Sequence, residues 1–191
     1  MIPSNLLPEN VRDSAFIAGG FAACPALADD IDVWVPVLSY DNSDPWDLCH
    51  KAQQQLATYL RDTFGGGFTA QDDELSKRVQ NVEWARNRLL TTAEGYVMPI
   101  PIYRVGSVEV PGASLPYHVI VVGGDIDEVL SSFDISTHQV ALCPQKGVIK
   151  GEHWTPITER GFVLKNKYST PARMLKLAKR YGWPDPGEIG Q

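Results

Sequence analysis

The stretch that most constrains this chain is residues 16–35, F-I-A-G-G-F-A-A-C-P-A-L-A-D-D-I-D-V-W-V. The apolar run Ala15-Phe16-Ile17-Ala18 reads as a strand, and a second run from Ile31 to Val35 is rich in β-formers. Between them stand Gly19 and Gly20, followed by nine residues of mostly small apolar type. Side chains i and i+2 of a strand share a face, so Asp30 and Asp32 are expected side by side. Two carboxylates pressed together repel each other and pack poorly, and a divalent cation between them resolves both problems. Mg2+ suits such a pair, because it takes oxygen ligands and is commonly held by one or two carboxylates plus substrate phosphates. Glycine has the complementary property: lacking Cβ, it lets backbone N–H groups approach a phosphate, whose charge a helix N-terminus favours. The plainer reading of the same letters is an edge strand with two solvated aspartates after a tight turn.

Punctuation along the chain suggests the remaining elements. Residues 1–13 read as a short helix or turn. Pro25 obliges any helix starting near Gly20 to kink or restart. A loop over 41–45 ends with Asp44 as a cap and Pro45 at the first helical position. Helical spacing then runs over 45–64, with Leu48, Ala52, Leu56, Tyr59, Leu60 and Thr63 three or four residues apart, until Gly65-Gly66-Gly67 ends it. No Lys-Ser or Lys-Thr follows those glycines, which therefore read as a turn and not a phosphate loop. Asp72-Asp73-Glu74 and Lys77-Arg78 read as a solvated face. Residues 84–92 form a strand candidate with Arg86 and Arg88 on one face. Residues 96–104 form another, broken or kept to an edge by Pro99 and Pro101. Arg86, Arg88 and Arg104 are read as structural and not as phosphate contacts.

A chain of 191 residues with 43% hydrophobic and 21% charged content matches an ordinary globular domain able to bury a sizeable core. We expect one domain over residues 1–191. No apolar run approaches a membrane span and the N-terminus lacks a signal-like pattern, so a cytoplasmic location is expected. Cys24, Cys49 and Cys143 are odd in number and far apart, which favours reduced, mostly buried thiols over disulfides or a zinc site. The net charge of −6 disfavours strong non-specific DNA binding, which works by neutralising many phosphates.

A second informative block spans residues 115–142. Residues 116–122, P-Y-H-V-I-V-V, have a buried-strand pattern ending at Gly123-Gly124. Asp125-Ile126-Asp127-Glu128 opens a short helix with acids in its first turn, where the helix dipole favours them, so this second Asp-x-Asp reads as a cap. From Ile135 onward the sequence alternates like a strand that Asp134 enters. His118 and His138 read as packed or capped strand histidines and not as catalytic bases. Residues 170–182 read as an amphipathic helix, with Met174, Leu177, Ala178 and Tyr181 on one face and Arg173, Lys176, Lys179 and Arg180 on the other.

The order strand, Gly-Gly, spacer, Asp-x-Asp resembles the nucleotidyltransferase superfamily, the fold of DNA polymerase β and the CCA-adding enzymes. The later helix, Phe133-Asp134-Ile135-Ser136 and Gln139-Val140 sharpen the likeness. Together with the closing basic helix they look like a group of nucleotidyltransferase-like proteins of bacteriophages and large DNA viruses. The likeness touches residues 15–35, 116–150 and 170–182, and no motif covers 40–115. It implies an α+β fold with a mixed β-sheet and helices packed mainly on one face, the basic helix of about 170–182 lying on it. It also implies a third acid on a strand beside the Asp-x-Asp strand, and Asp134 is the residue that fits.

The implied chemistry is transfer of a nucleoside monophosphate from an NTP to a hydroxyl of an RNA, tRNA included, or of a protein, in the cytoplasm of a phage-infected host. Asp30, Asp32 and Asp134 would hold two Mg2+ ions, with Mn2+ as a substitute, and perform the catalysis. Gly19, Gly20, Arg173 and Lys176, with Arg180 on the same helix face, would bind the nucleotide or an RNA acceptor. Relatives often carry Ser at the position of Gly20, and that hydroxyl is missing here. Two other classes stay open: a protein of this fold that binds a host factor or nucleotide without turnover, and an unrelated α+β interaction protein.

Overall fold

The computed structural model describes residues 1–36, 45–70, 100, 102–158 and 171–184. The expected cap Asp44, the charged face at 72–78, the strand candidate carrying Arg86 and Arg88, and Pro99 and Pro101 lie outside these residues. Among the described residues seven strands form one mixed sheet. They are β1 (Phe16–Ala18), β2 (Ile31–Pro36), β3 (Phe68–Ala70), β4 (Ile102–Val108), β5 (Tyr117–Val122), β6 (Val140–Cys143) and β7 (Gly147–Lys150). The spatial order is β3-β4-β5-β2-β1-β6-β7. Only β2 and β5 run parallel; the other neighbours are antiparallel. These two central strands are near-continuous runs of β-branched and aromatic residues, as strands covered on both faces must be.

Alternation along β2 sorts the core into two layers. Ile31, Val33 and Val35 pack with Val119, Val121, Leu6 and Leu7 and with Leu56 and Leu60 of helix α3 (Pro45–Phe64), whose bounds match the expected 45–64. Truncating Leu56 or Leu60 to Ala should cost about 2–5 kcal/mol. The Tyr59 hydroxyl donates to the Asn5 carbonyl at 3.1 Å and ties the N-terminal segment, with its one-turn helix α1 (Glu9–Arg12), to α3. On the opposite layer Trp34 packs with Phe16, Ala18, Ile120 and Val122 and with Val129 and Leu130 of helix α4 (Ile126–Ser132). Asp125 begins α4 with the expected cap: its carboxylate accepts from the Glu128 N–H and the Glu128 carboxylate accepts from its own N–H, both at 2.9 Å. Helices thus cover both faces, which corrects the expectation of helices mainly on one. The α+β class holds.

After Gly19, helix α2 (Gly20–Ala23) is a single turn, and the chain restarts as a 3-10 turn at Pro25–Leu27, as expected of a proline that cannot continue the helix. One further expectation needs correcting. The strand expected from Ile135 begins only at Val140, since Ser136–His138 is a 3-10 turn. That polar segment is buried and finds its partners far along the chain. Ser136 bonds the Thr155 hydroxyl at 2.6 Å, His138 Nε2 bonds the Tyr181 hydroxyl at 2.7 Å, and Gln139 Oε1 accepts from the His153 N–H at 3.2 Å.

Helix α5 (Pro171–Tyr181) opens on Pro171 and closes on Gly182 at φ +67°, a left-handed turn that glycine adopts without penalty. It buries Met174, Leu177 and Ala178, and exposes Leu175, Lys176 and Lys179. No helix among the described residues is long and apolar enough to cross a membrane.

Candidate metal centre

Parallel pairing brings the N-terminal ends of β2 and β5 together, and the register sets Asp32 directly beside His118. Both side chains share the parity of Trp34 and Ile120, so they project on the same face of the sheet. Asp30 sits in the bend just before β2 and turns its carboxylate to the same point. His118 Nδ1 lies 3.4 Å from Asp30 Oδ2 and 3.5 Å from Asp32 Oδ1. One donor atom from each of the three residues lies within 4.8 Å of the others, and among the described residues no other such group of three or more forms. All three side chains are half-buried, at 39% exposure for Asp30, 28% for Asp32 and 26% for His118, so the cluster stays open to solvent.

Electrostatics matches the crowding. Burial, and then the charge of Asp32, raises the Asp30 pKa, while His118 and Arg180 act against that rise. The hydrogen bond to Asp32 raises the His118 pKa, burial opposes it, and the charges of Asp32 and Asp30 add to the rise. An imidazole between two carboxylates is an arrangement in which a metal cation would take the place of the ring's proton.

Beside this cluster lies the glycine turn. Gly19 has φ +88°, and a Cβ there would stand 3.4 Å from the Phe133 ring and 3.6 Å from Asp32 Oδ2. Only glycine fits the conformation comfortably. Its N–H donates to the Val140 carbonyl at 3.4 Å, and Gly20 stands at the first helical position, where an N–H has no partner within the helix. A Cβ on Gly20 would meet the Arg180 guanidinium and the Tyr181 hydroxyl, each at 3.9 Å. Arg180 also pairs with Asp29, the residue before Asp30. The C-terminal helix therefore does bring a cation to the glycine turn.

No protein-family model and no curated protein sequence matches the chain.

Asp134 and Arg173 stand apart from the expected site. Asp134 is fully buried and not a member of the three-residue cluster; Arg173 holds it through Nε at 2.5 Å and Nη2 at 3.1 Å. Its two oxygens serve a bidentate ion pair that fastens α5 to the segment after α4, and the structure does not bring this residue, expected as the third metal ligand, into the cluster. The same pair turns Arg173, expected on the polar face as a nucleotide contact, inward to Asp134. Lys176 lies on the exposed face of α5. His138 and Tyr181 complete the fastening through the 2.7 Å bond and an edge-on ring contact, and the Trp183 indole donates to the Ile157 carbonyl at 2.9 Å. Ring contacts run on from His138 to Phe133 and from Phe133 to Trp34, so the helix that carries Arg180 is keyed to the strand that carries Asp32.

The residue missed from the sequence is His118. Its signal was present in P-Y-H-V-I-V-V, where a lone imidazole opens an otherwise apolar strand, but alternation alone does not say which strand lies alongside. As a donor set the cluster fits one dication. Ligands about 2.1 Å from an ion are about 3.4 Å apart in tetrahedral and about 3.0 Å apart in octahedral coordination, close to the 3.4 and 3.5 Å found here.

Proposed function

We propose that the chain is a metal-dependent nucleotidyltransferase that moves a nucleoside monophosphate from an NTP to a hydroxyl of RNA, tRNA included, or of a protein. The observation that carries this reading is the convergence of Asp30, Asp32 and His118 beside the Gly19–Gly20 turn. Those three residues would hold the metal. With two carboxylates in place of three, the chain supplies charge for one dication and not for the two first expected. Once bound, the dication supplies charge neutralisation at the transferring phosphoryl group and acidifies an attacking hydroxyl.

The protein's own groups have distinct parts in this proposal. Gly20, with no Cβ, lets the triphosphate come close to backbone. Arg180 is held near that turn by Asp29 and by the anchored helix, and places a fixed positive charge where the phosphates would lie. Gly19 keeps the turn clear of Asp32, so the carboxylate can face the cluster. Arg173 and Asp134 work at a remove, by holding α5 in place. The setting in an infected host's cytoplasm belongs to the same proposal.

The test is incubation with each α-32P-labelled NTP, Mg2+ or Mn2+, and bacterial RNA or lysate, beside the double variant Asp30→Ala/Asp32→Ala. A metal-dependent labelled RNA or protein band that is lost in the variant is the expected result. Absence of label with every nucleotide would overturn transfer. One observation favours a second reading, a protein of this kind that binds nucleotide without turnover: the third carboxylate is engaged by Arg173 and does not join the cluster. Metal-dependent nucleotide binding without labelling would select that reading.

A further inference from the structure

The donor set bears on which metal the site takes. Three carboxylates are an all-oxygen cage suited to a hard ion such as Mg2+. Here one of the three donors is an imidazole nitrogen, and it is built into the sheet: His118 is a β5 residue in direct register with Asp32 of β2. Its Nδ1, and not its Nε2, faces both carboxylates. Imidazole suits first-row transition dications such as Zn2+, Fe2+ and Ni2+, carboxylates suit Mn2+ and Mg2+, and for a mixed N/O site affinity rises from Mn2+ toward Zn2+. Mg2+ demands near-ideal octahedral oxygen coordination and dehydrates reluctantly, so it gains little from a nitrogen ligand.

We infer that the Asp30, Asp32 and His118 site is selective for a first-row transition-metal dication over Mg2+, with His118 Nδ1 as a direct ligand. The inference rests on the reading of this cluster as a metal site, and it deepens that reading by naming the metal class. Charge supports it as well. Two carboxylates and a neutral imidazole leave a bound dication site close to neutral, whereas three carboxylates would leave it negative and repel incoming phosphates. Three protein ligands also leave open coordination positions for substrate oxygens.

The experiment is calorimetric titration of the full chain at one neutral pH with Mg2+, Mn2+ and Zn2+. Wild type is compared with His118→Asp, which makes the donor set all oxygen, and with Asp30→Asn/Asp32→Asn. Expected for wild type is binding of Mn2+ at least about tenfold tighter than Mg2+, with Zn2+ tighter again. His118→Asp should close the Mn2+/Mg2+ gap by about tenfold, and the double Asn variant should lose all three metals. Circular dichroism checks that each variant is folded. Pulsed electron paramagnetic resonance of Mn2+-loaded wild type gives a reading that needs no variant, since a directly bound imidazole imprints nitrogen modulation on the Mn2+ signal. Equal affinity for Mg2+ and Mn2+, absence of nitrogen modulation, or no metal binding would each overturn the inference. Nucleotide transfer is scored separately. Labelling supported equally by Mg2+ would sink the selectivity and leave the transferase, while selective Mn2+ binding without labelling would do the reverse.

Discussion

Asp32 and Asp134 are both acids beside strands of one sheet, and the protein treats them in opposite ways. Asp32 shares its surroundings with a second carboxylate and an imidazole, remains partly open to water, and among the described residues pairs with His118 and not with a lysine or arginine. Asp134 is sealed from water and gripped by a guanidinium through two bonds. Carboxylates left near one another and near solvent can exchange partners, and so can bind an ion. A carboxylate neutralised inside the protein has its partner already. Proximity in the motif does not separate these fates, whereas burial and the nearest cation do.

Removing each acid should therefore give opposite results. Asp134→Ala removes both of these bonds from an Arg173 that is largely buried, at a cost of about 3–5 kcal/mol. The double variant Asp30→Asn/Asp32→Asn relieves repulsion at a half-exposed site and should change stability by less than about 1 kcal/mol while abolishing metal binding. Urea denaturation with and without metal reads both. If Asp134→Ala kept wild-type stability and lost metal binding, Asp134 would belong with the ligands after all.

The next test exploits His138, on the structural side of the comparison. Burial, reinforced by the charges of Arg173 and Arg180 and opposed by that of Asp134, lowers its pKa to about 4, and Tyr181 meets its Nε2. In the unfolded chain the imidazole titrates near its ordinary 6.5. Between these values the unfolded state binds the proton and the folded state does not, so stability falls as pH drops from about 6.5 to 4. The loss should total about 3 kcal/mol, the difference between an imidazole that titrates near 6.5 and one that titrates at about 4. Replacing His138 with Gln should flatten that part of the stability profile relative to wild type. Parallel profiles for the two proteins would show that His138 does not carry the effect.

These partnerships also explain what was legible in the sequence. Helix α3 could be bounded because Pro45 and three glycines mark its ends locally, and Asp125 with Glu128 marks the start of α4 in the same way. Asp30 and Asp32 could be picked out because two acids beside an apolar strand are conspicuous. The surroundings of Asp134 were not legible, because the guanidinium that holds it is 39 residues away. The polar run Ser136–Gln139 alternates like a strand, yet its true bonds reach Thr155, His153 and Tyr181. His118 joined the site only through the pairing of two strands more than eighty residues apart in sequence. Arg173 and Arg180 sat on the polar face of a helical wheel, which does not show that long side chains near the boundary can turn inward.

The two glycines of the turn sharpen the contrast on a smaller scale. Gly19→Ala places Cβ on a backbone at φ +88° and against the Phe133 ring and Asp32, so a loss of about 1–3 kcal/mol is expected, along with weaker metal binding. Gly20→Ala meets only the ends of Arg180 and Tyr181 at ordinary contact distance, and thermal unfolding should be nearly unchanged. Equal losses at both positions would mean that crowding, and not backbone conformation, governs the turn.

Arg180 is where the two regions meet, and its removal should separate them with the smallest effect on folding. It belongs to the helix that Arg173 and Tyr181 fasten, yet its guanidinium reaches Asp29 and the glycine turn beside the metal cluster. Asp29 is 71% exposed, so this ion pair is screened by water and contributes at most about 1 kcal/mol to stability. Arg180→Ala should therefore shift thermal unfolding only slightly. If the guanidinium serves phosphate, the same variant should weaken nucleotide binding in the presence of metal about tenfold, the order expected for loss of one charge-assisted contact. Metal binding without nucleotide should not weaken, because Arg180 acts on the donors through its charge alone, and that charge opposes a bound cation. A variant that unfolds early would place Arg180 with Arg173 among the fastenings of the helix. One that keeps both stability and nucleotide affinity would remove it from the site and leave the glycine turn without its cation.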